Sequence, residues 1–180
     1  MRMVKRLRKD FLILIIGCFL ALSLDVYSEV IIIAPSKNSQ ERLQEALILA
    51  EPGDIVQLTS GIYELEDSLS LDIDSVTIQG NGHEETILDF SEQKSGAQGL
   101  MVTSDDVVLR DFAVLDTKGD AIKVKGSDGI SFINVRTEWS GGPLSTNGAY
   151  GLYPVESKNV LIDGCIAIGA SDAGIYVGQS

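Results

Sequence analysis

Along most of this chain, apolar and polar residues alternate in short runs broken by Gly, Asn, Asp and Ser. "DIVQL", "GIYEL", "LSLDI", "SVTIQG" and "TILDF" follow one another from Asp54 to Phe90, each five or six residues long. Period-two runs of that length, punctuated by turn formers, predict β-strands. One segment breaks the pattern. In "SKNSQERLQEALILAEPGD" Leu43, Ala46, Leu47 and Ala50 fall at i, i+3, i+4 and i+7. Asn38 with Glu41 reads as a capping pair, and Pro52-Gly53 as a stop. This predicts one short amphipathic helix over Asn38 to Ala50, after an apolar strand at "VIIIAP".

The strands repeat. "GLMV", "AIKV", "LYPV" and "IYVG" place Val102, Val124, Pro154 and Val177 in equivalent positions, at separations of 22, 30 and 23 residues. A second register agrees, since "VVLRDF", "ISFINV" and "VLIDGC" start at Val107, Ile130 and Val160. One unit is therefore 22 to 23 residues, and the unit ending at Pro154 carries an insertion of about eight. Strand-only units of this length cannot bury their own apolar face and must stack. The prediction is an all-β, right-handed parallel β-helix whose N-terminal end is covered by the helix. Leu100, Ile122, Leu152 and Ile175 then point inward, and Cys165, aligned with Phe112 and Val135, is a small core residue.

The same alternation lists the outward residues. Met101, Lys123, Tyr153 and Tyr176 form one column on successive coils. Tyr153 and Tyr176 become neighbours, an aromatic surface suited to the apolar faces of sugar rings or simply a pair that stabilises the sheet. The insertion "TEWSGGPLSTNGAY" holds Trp139 and Tyr150 and enters the same strand; loops on a rigid scaffold commonly carry binding groups. These five, Lys123, Trp139, Tyr150, Tyr153 and Tyr176, are the candidate site, with Trp139 expected over the column. Lys123 beside Tyr153 is the one pairing on this face that could serve as base and cation in proton abstraction next to a carboxylate. The alternative for Lys123 is a solvated lysine. Asp120 and Asp172 enter comparable strands two coils apart, roughly 10 Å between backbones at the strand spacing. That lies at the loose limit of the separation an inverting glycosidase uses.

Charge and composition narrow the field. "MRMVKRLRKD" holds five of the fourteen basic residues and precedes the apolar run Phe11 to Leu24. A basic start and a 14-residue apolar run, shorter than the ~20 of a bilayer span, read as a secretory signal. Cleavage is expected after Ser28, with Ser23 the second choice, giving residues 1–28 as signal and 29–180 as the N-terminal part of a β-helix domain. "IIGC" ending at Cys18 loosely matches a lipoprotein box. Removal of residues 1–28 takes five bases and two acids and moves the formal charge from −12 to −15. Such an acidic chain is a poor partner for nucleic acid or an anionic membrane surface. The expected location is secreted, periplasmic or cell-surface, with no membrane span in the mature chain. His83 is the single histidine and sits in the turn sequence "GNGHEE", which excludes any site built on two imidazoles.

With the repeat in hand, "LQEALILAEPGDIVQLTSGIYEL", "VTIQGNG" and "TILDF" resemble the N-terminal segment of secreted bacterial β-helix proteins of the pectate-lyase-like superfamily. "NGAYGLYPVESKNVLIDGC" and "GASDAGIYVGQS" are similar to a bacterial parallel β-helix subgroup without an assigned chemistry. The resemblance runs from about residue 37 to 180. It implies the fold, a polysaccharide partner, an acidic one among the options, and lyase, epimerase or hydrolase chemistry or none. It also implies further coils beyond residue 180. Calcium, which takes several oxygen ligands and can bridge an acidic protein to a uronate polymer, is the cofactor it allows. No spacing among Asp105, Asp106, Asp111, Asp116, Asp128 and Asp163 singles out a site for it. The competing class is a non-enzymatic periplasmic or surface scaffold that contacts protein or metal ions.

Overall fold

The computed structural model describes residues 28–180; the signal and lipoprotein readings lie outside them. The chain enters through β1 (Val30–Ile33) and α1 (Ser39–Leu49), then winds through fifteen strands, three per coil. The first two coils hold β2 (Ile55–Leu58), β3 (Gly61–Glu64), β4 (Leu69–Leu71), β5 (Thr77–Gln79), β6 (Thr86–Asp89) and β7 (Gln98–Val102). The next two hold β8 (Val107–Arg110), β9 (Ala113–Leu115), β10 (Asp120–Lys125), β11 (Asp128–Ile133), β12 (Arg136–Glu138) and β13 (Tyr150–Val155). The fifth consists of β14 (Lys158–Asp163), β15 (Ile166–Ile168) and β16 (Ala173–Ile175).

Strands one coil apart pair in parallel and give three sheets. The first is β1-β2-β5-β8-β11-β14, the second β3-β6-β9-β12-β15 and the third β4-β7-β10-β13-β16. Every step within a sheet is a crossover between parallel strands, a connection that is right-handed in ~98% of cases. This is the parallel β-helix that the repeat predicts. The register follows the sequence alignment: Leu100 pairs with Ile122, Ile122 with Leu152 and Leu152 with Ile175, while Val107, Ile130 and Val160 align in the first sheet. Leu100, Ile122 and Leu152 are fully buried, and Phe90, Phe112 and Phe132 fill the same interior. Ile175 continues the column but is 42% exposed, in the last coil. Cys165 is half-buried and packs against the core.

The helix sits at the N-terminal end against β1, β3 and β4, and Leu43, Ala46, Leu47 and Ala50 are its buried stripe as expected. Its cap differs from the expectation. Asn38 makes no capping bond; Ser39 Oγ instead accepts the Ser36 N–H at 2.9 Å and donates to the Ser36 carbonyl at 2.7 Å.

The Asp and Asn residues that punctuate the repeat hold the corners. Asp106, Asp111, Asp116, Asn134 and Asn159 adopt positive φ between 49° and 60°, where their short polar side chains are tolerated best after glycine. Neighbouring acids stitch coil to coil. Asp74 accepts the N–H of Asp105, Asp105 that of Asp128, both at 2.8 Å, and Asp128 accepts the Asn159 amide at 2.7 Å. Asp111 accepts Asn134 Nδ2 at 2.8 Å and Arg110 Nε at 2.7 Å; Asp116 accepts the N–H and hydroxyl of Ser140 at 2.7 and 2.8 Å. Burial alone would raise the Asp111 carboxyl, but the bonds from Asn134 and Arg110 outweigh it and hold it below its ordinary range.

Candidate functional site

On the third sheet the strands share one burial pattern. In "QGLMV" of β7, "DAIKV" of β10 and "YGLYP" of β13, positions one and four are half-exposed and positions two, three and five are buried. Strict alternation would put positions one and four on opposite faces. Position two is a small residue in each, Gly99, Ala121 or Gly151, and positions one and four are both left half-exposed. The space there is tight. A Cβ on Gly99 would meet the Ala121 carbonyl at 2.7 Å, and one on Gly151 would collide with the Gly174 carbonyl and Thr137 Oγ1.

The outcome is one cluster. Lys123 pairs in register with Met101 on one side and Tyr153 on the other, and its Nζ lies 5.1 Å from the Tyr153 ring centroid. Tyr153 and Tyr176 stack at 5.6 Å and 25°. Tyr150, at position one, joins them at 4.4 Å from Tyr153 and 5.0 Å from Tyr176. Four of the five sequence candidates therefore converge over three successive coils. Tyr176 is 43% exposed, so the cluster is open to solvent.

Trp139 is a correction. It does not lie over the column: the indole is 5% exposed within the core, and its Nε1–H donates to the Thr117 carbonyl at 2.7 Å. That carbonyl belongs to the preceding coil, where it gives the indole the partner a buried Trp needs. The loop after Trp139 is tied down as well, with Asn147 Nδ2 donating to the carbonyls of Gly142 at 2.8 Å and Gly169 at 2.6 Å.

Two carboxyls that were only weakly signalled by sequence border the cluster. Asp120 opens β10, and its Oδ1 accepts the Tyr150 N–H at 3.2 Å. Burial pushes its carboxyl above the ordinary range, against the opposing pull of that N–H and of the Lys123 charge. Asp172 is exposed, and interaction with its carboxylate first, and burial second, raises the Tyr150 phenol. Among the described residues no group of three or more His, Cys, Asp or Glu side chains converges as a metal site would. Most of the turn acids offered as calcium ligands are already bonded to neighbouring coils. No helix among them is long and apolar enough to cross a membrane.

A separate hollow lies at the N-terminal end, between β1 and α1, lined by Ile31, Ile33, Ala46, Leu49, Arg42 and a rim of acids. Its most buried acid, Asp54, is committed to the N–H groups of Glu29 and Glu51, both at 2.8 Å. The tyrosine face remains the place where aromatic, cationic and carboxyl groups meet.

No protein-family model matches this sequence, and no curated protein matches it. Among solved structures, the chain is similar to a crystal structure of a pectin methylesterase mutant in complex with a hexasaccharide, at a TM-score of 0.52 and 13% identity. The match covers 78% of this chain and 48% of the other, so this chain spans about half that enzyme's length. At such low identity the likeness is one of fold: three parallel sheets wound into a β-helix.

Proposed function

We propose that this is an exported β-helix protein that binds a polysaccharide chain along the outer face of its third sheet and processes it there. The observation that carries the reading is the Tyr150, Tyr153 and Tyr176 cluster with Lys123 beside it. It presents aromatic faces and one cation on three coils ~4.8 Å apart. Aromatic rings offer apolar area to the C–H face of a sugar at low entropic cost, and Lys123 supplies a charge for a sugar carboxylate or hydroxyl. The fold shared with a saccharide-bound pectin methylesterase supports the substrate class.

The test is a titration of uronate and neutral oligosaccharides against the protein and its Tyr153→Ala/Tyr176→Ala double variant, with circular dichroism as the folding control. Binding should weaken in the double variant with the fold intact, and Lys123→Ala should weaken the uronate more than the neutral chain. No binding to either class would leave the scaffold reading. Cell fractionation and N-terminal sequencing check export: mature protein beginning near Glu29 outside the cytoplasm is the expected result.

A further inference from the structure

The hollow at the N-terminal end lies where the first sheet stops. β1 is the outermost strand of that sheet, with β2 on one side and, among the described residues, no strand on the other. The Glu29 and Ile33 carbonyls accept the N–H groups of Ile55 and Thr59 at 2.9 and 3.0 Å. Bonds between parallel strands fall on alternate residues, so Glu29, Ile31 and Ile33 commit their backbone groups to β2, and the N–H and C=O of Val30 and Ile32 point away from it. The side chains of Val30 and Ile32 are more than half exposed. An apolar edge of this kind is a template for another strand.

The hollow sets what that strand must carry. Ile31 and Ile33 are in register with the buried Val56 and Leu58, so they face the inside of the coil, and Ala46 and Leu49 of α1 line the same space. Its volume is about 510 Å³. A strand added ~4.8 Å beyond β1 continues both columns: alternate side chains enter the hollow next to Ile31 and Ile33, and the others lie beside Val30 and Ile32. The first set must be apolar. Around the opening stand Glu29, Glu45 and Glu51, all exposed, against one base, Arg42, which donates to the Ala34 carbonyl at 3.4 Å. Lys or Arg suits the second set, since the stem covers apolar surface while the charge complements the acids.

We propose that the open edge of β1 and the hollow beside it form a docking site for an extended basic segment of a partner protein, which joins the first sheet as its outermost strand. A second copy of this chain fits the edge less well. Pairing β1 with β1 would gather Glu29, Glu45 and Glu51 of both copies, with only the two Arg42 side chains to offset them. The site uses none of the strands of the tyrosine face and does not rest on the polysaccharide reading.

The test uses the whole protein as recovered from its host and a short acetylated peptide in which Lys alternates with Ile and Val. Binding is followed by fluorescence anisotropy and by amide hydrogen exchange. The expected result is saturable binding that slows exchange of the Val30 and Ile32 amides about tenfold or more. Affinity should fall on the order of tenfold in Glu45→Lys/Glu51→Lys, and should be lost when Glu replaces Lys in the peptide. Ile32→Pro removes a donor from the edge and no bond to β2, because that N–H faces away; binding should be lost with circular dichroism unchanged. A peptide N-methylated at the residues that would face β1 should fail in the same way with the protein untouched. Absence of binding, equal binding of the Lys and Glu peptides, or exchange at Val30 and Ile32 that the peptide leaves unchanged would overturn the proposal. Full binding of the N-methylated peptide, or by folded Ile32→Pro, would overturn it as well. Dimerisation that Ile32→Pro abolishes would make a second copy the occupant and overturn it too.

Discussion

At the corner leading from the third sheet back to the first, Asp74, Asp105 and Asp128 each accept a hydrogen bond from the neighbouring coil at 2.7 to 2.8 Å. On the outer face of the third sheet, Asp120 receives one N–H at 3.2 Å and has its carboxyl raised by burial, and Asp172 is exposed. The residue type is the same and the sequence contexts look alike, since all sit beside Gly, Ser or Asp. The difference lies in what the neighbouring coil offers. A corner acid repeats at the same place in each coil and finds a backbone or amide donor above it, so its charge is spent on holding the stack. The acids of the tyrosine face interrupt columns of other residues: Asp120 has a single, longer bond, from the Tyr150 N–H, and Asp172 is exposed.

Substitutions separate the two regions, and the largest effect should come from the interior they share. Phe132→Ala removes a fully buried ring from the column of β11 and should cost about 3–5 kcal/mol in a denaturant titration. A loss under about 1 kcal/mol would mean that the coils are not closed around a common core. Gly151→Ala comes next. Its Cβ would press on the Gly174 carbonyl and Thr137, so a loss of about 1–3 kcal/mol is expected. The Tyr150 to Tyr153 ring contact should loosen with it, read as a change in near-ultraviolet circular dichroism.

Asp111→Ala should cost about 1–2 kcal/mol by leaving Asn134 and Arg110 without their acceptor. Its folded carboxyl lies below the unfolded value, so this stability is present above the unfolded pKa and is lost as pH falls through the folded one. The difference between wild type and variant should therefore shrink on acidification. Asp120→Asn should behave in the opposite sense. A carboxyl raised in the fold weighs against folding as pH rises through the folded value, so the variant should gain stability relative to wild type toward neutral pH. The smallest effect belongs to the aromatic face, where Tyr153→Ala and Tyr176→Ala should each weaken saccharide binding by about 1 kcal/mol. Neither should shift the unfolding midpoint measurably.

Much of this fold is legible in the sequence. The 22- to 23-residue period names the coil, and alternation within it places Leu100, Ile122 and Leu152 inside and Lys123 and Tyr153 outside, because a parallel register carries each residue onto its repeat. Tyr150 could be named as a candidate but not placed against Tyr153. Alternation separates residues three apart, and the only sequence sign that Tyr150 and Tyr153 both stay half-exposed is the run of small residues at Gly99, Ala121, Gly151 and Gly174. Trp139 was misplaced for a related reason. Its loop was legible as an insertion, but the Thr117 carbonyl that draws the indole inward lies 22 residues away in sequence, one coil away in space. Asp120 showed itself as an acid at a strand start, and the burial that distinguishes it from the corner acids is a property of the packed sheet.

The stacking of coils also sets how the molecule would yield to force. Each coil is fastened to its neighbours by rows of backbone hydrogen bonds, and pulling on the two chain ends loads those rows from the outermost coil inward. In an optical trap, extension should proceed as a staircase. A 22-residue coil would release about 75 Å of contour at the extended reach of the chain, and the 30-residue coil with the inserted loop about 100 Å. Two longer treads are expected, one from the coil between Leu69 and Leu100 and one from the coil that carries Tyr150 and Tyr153.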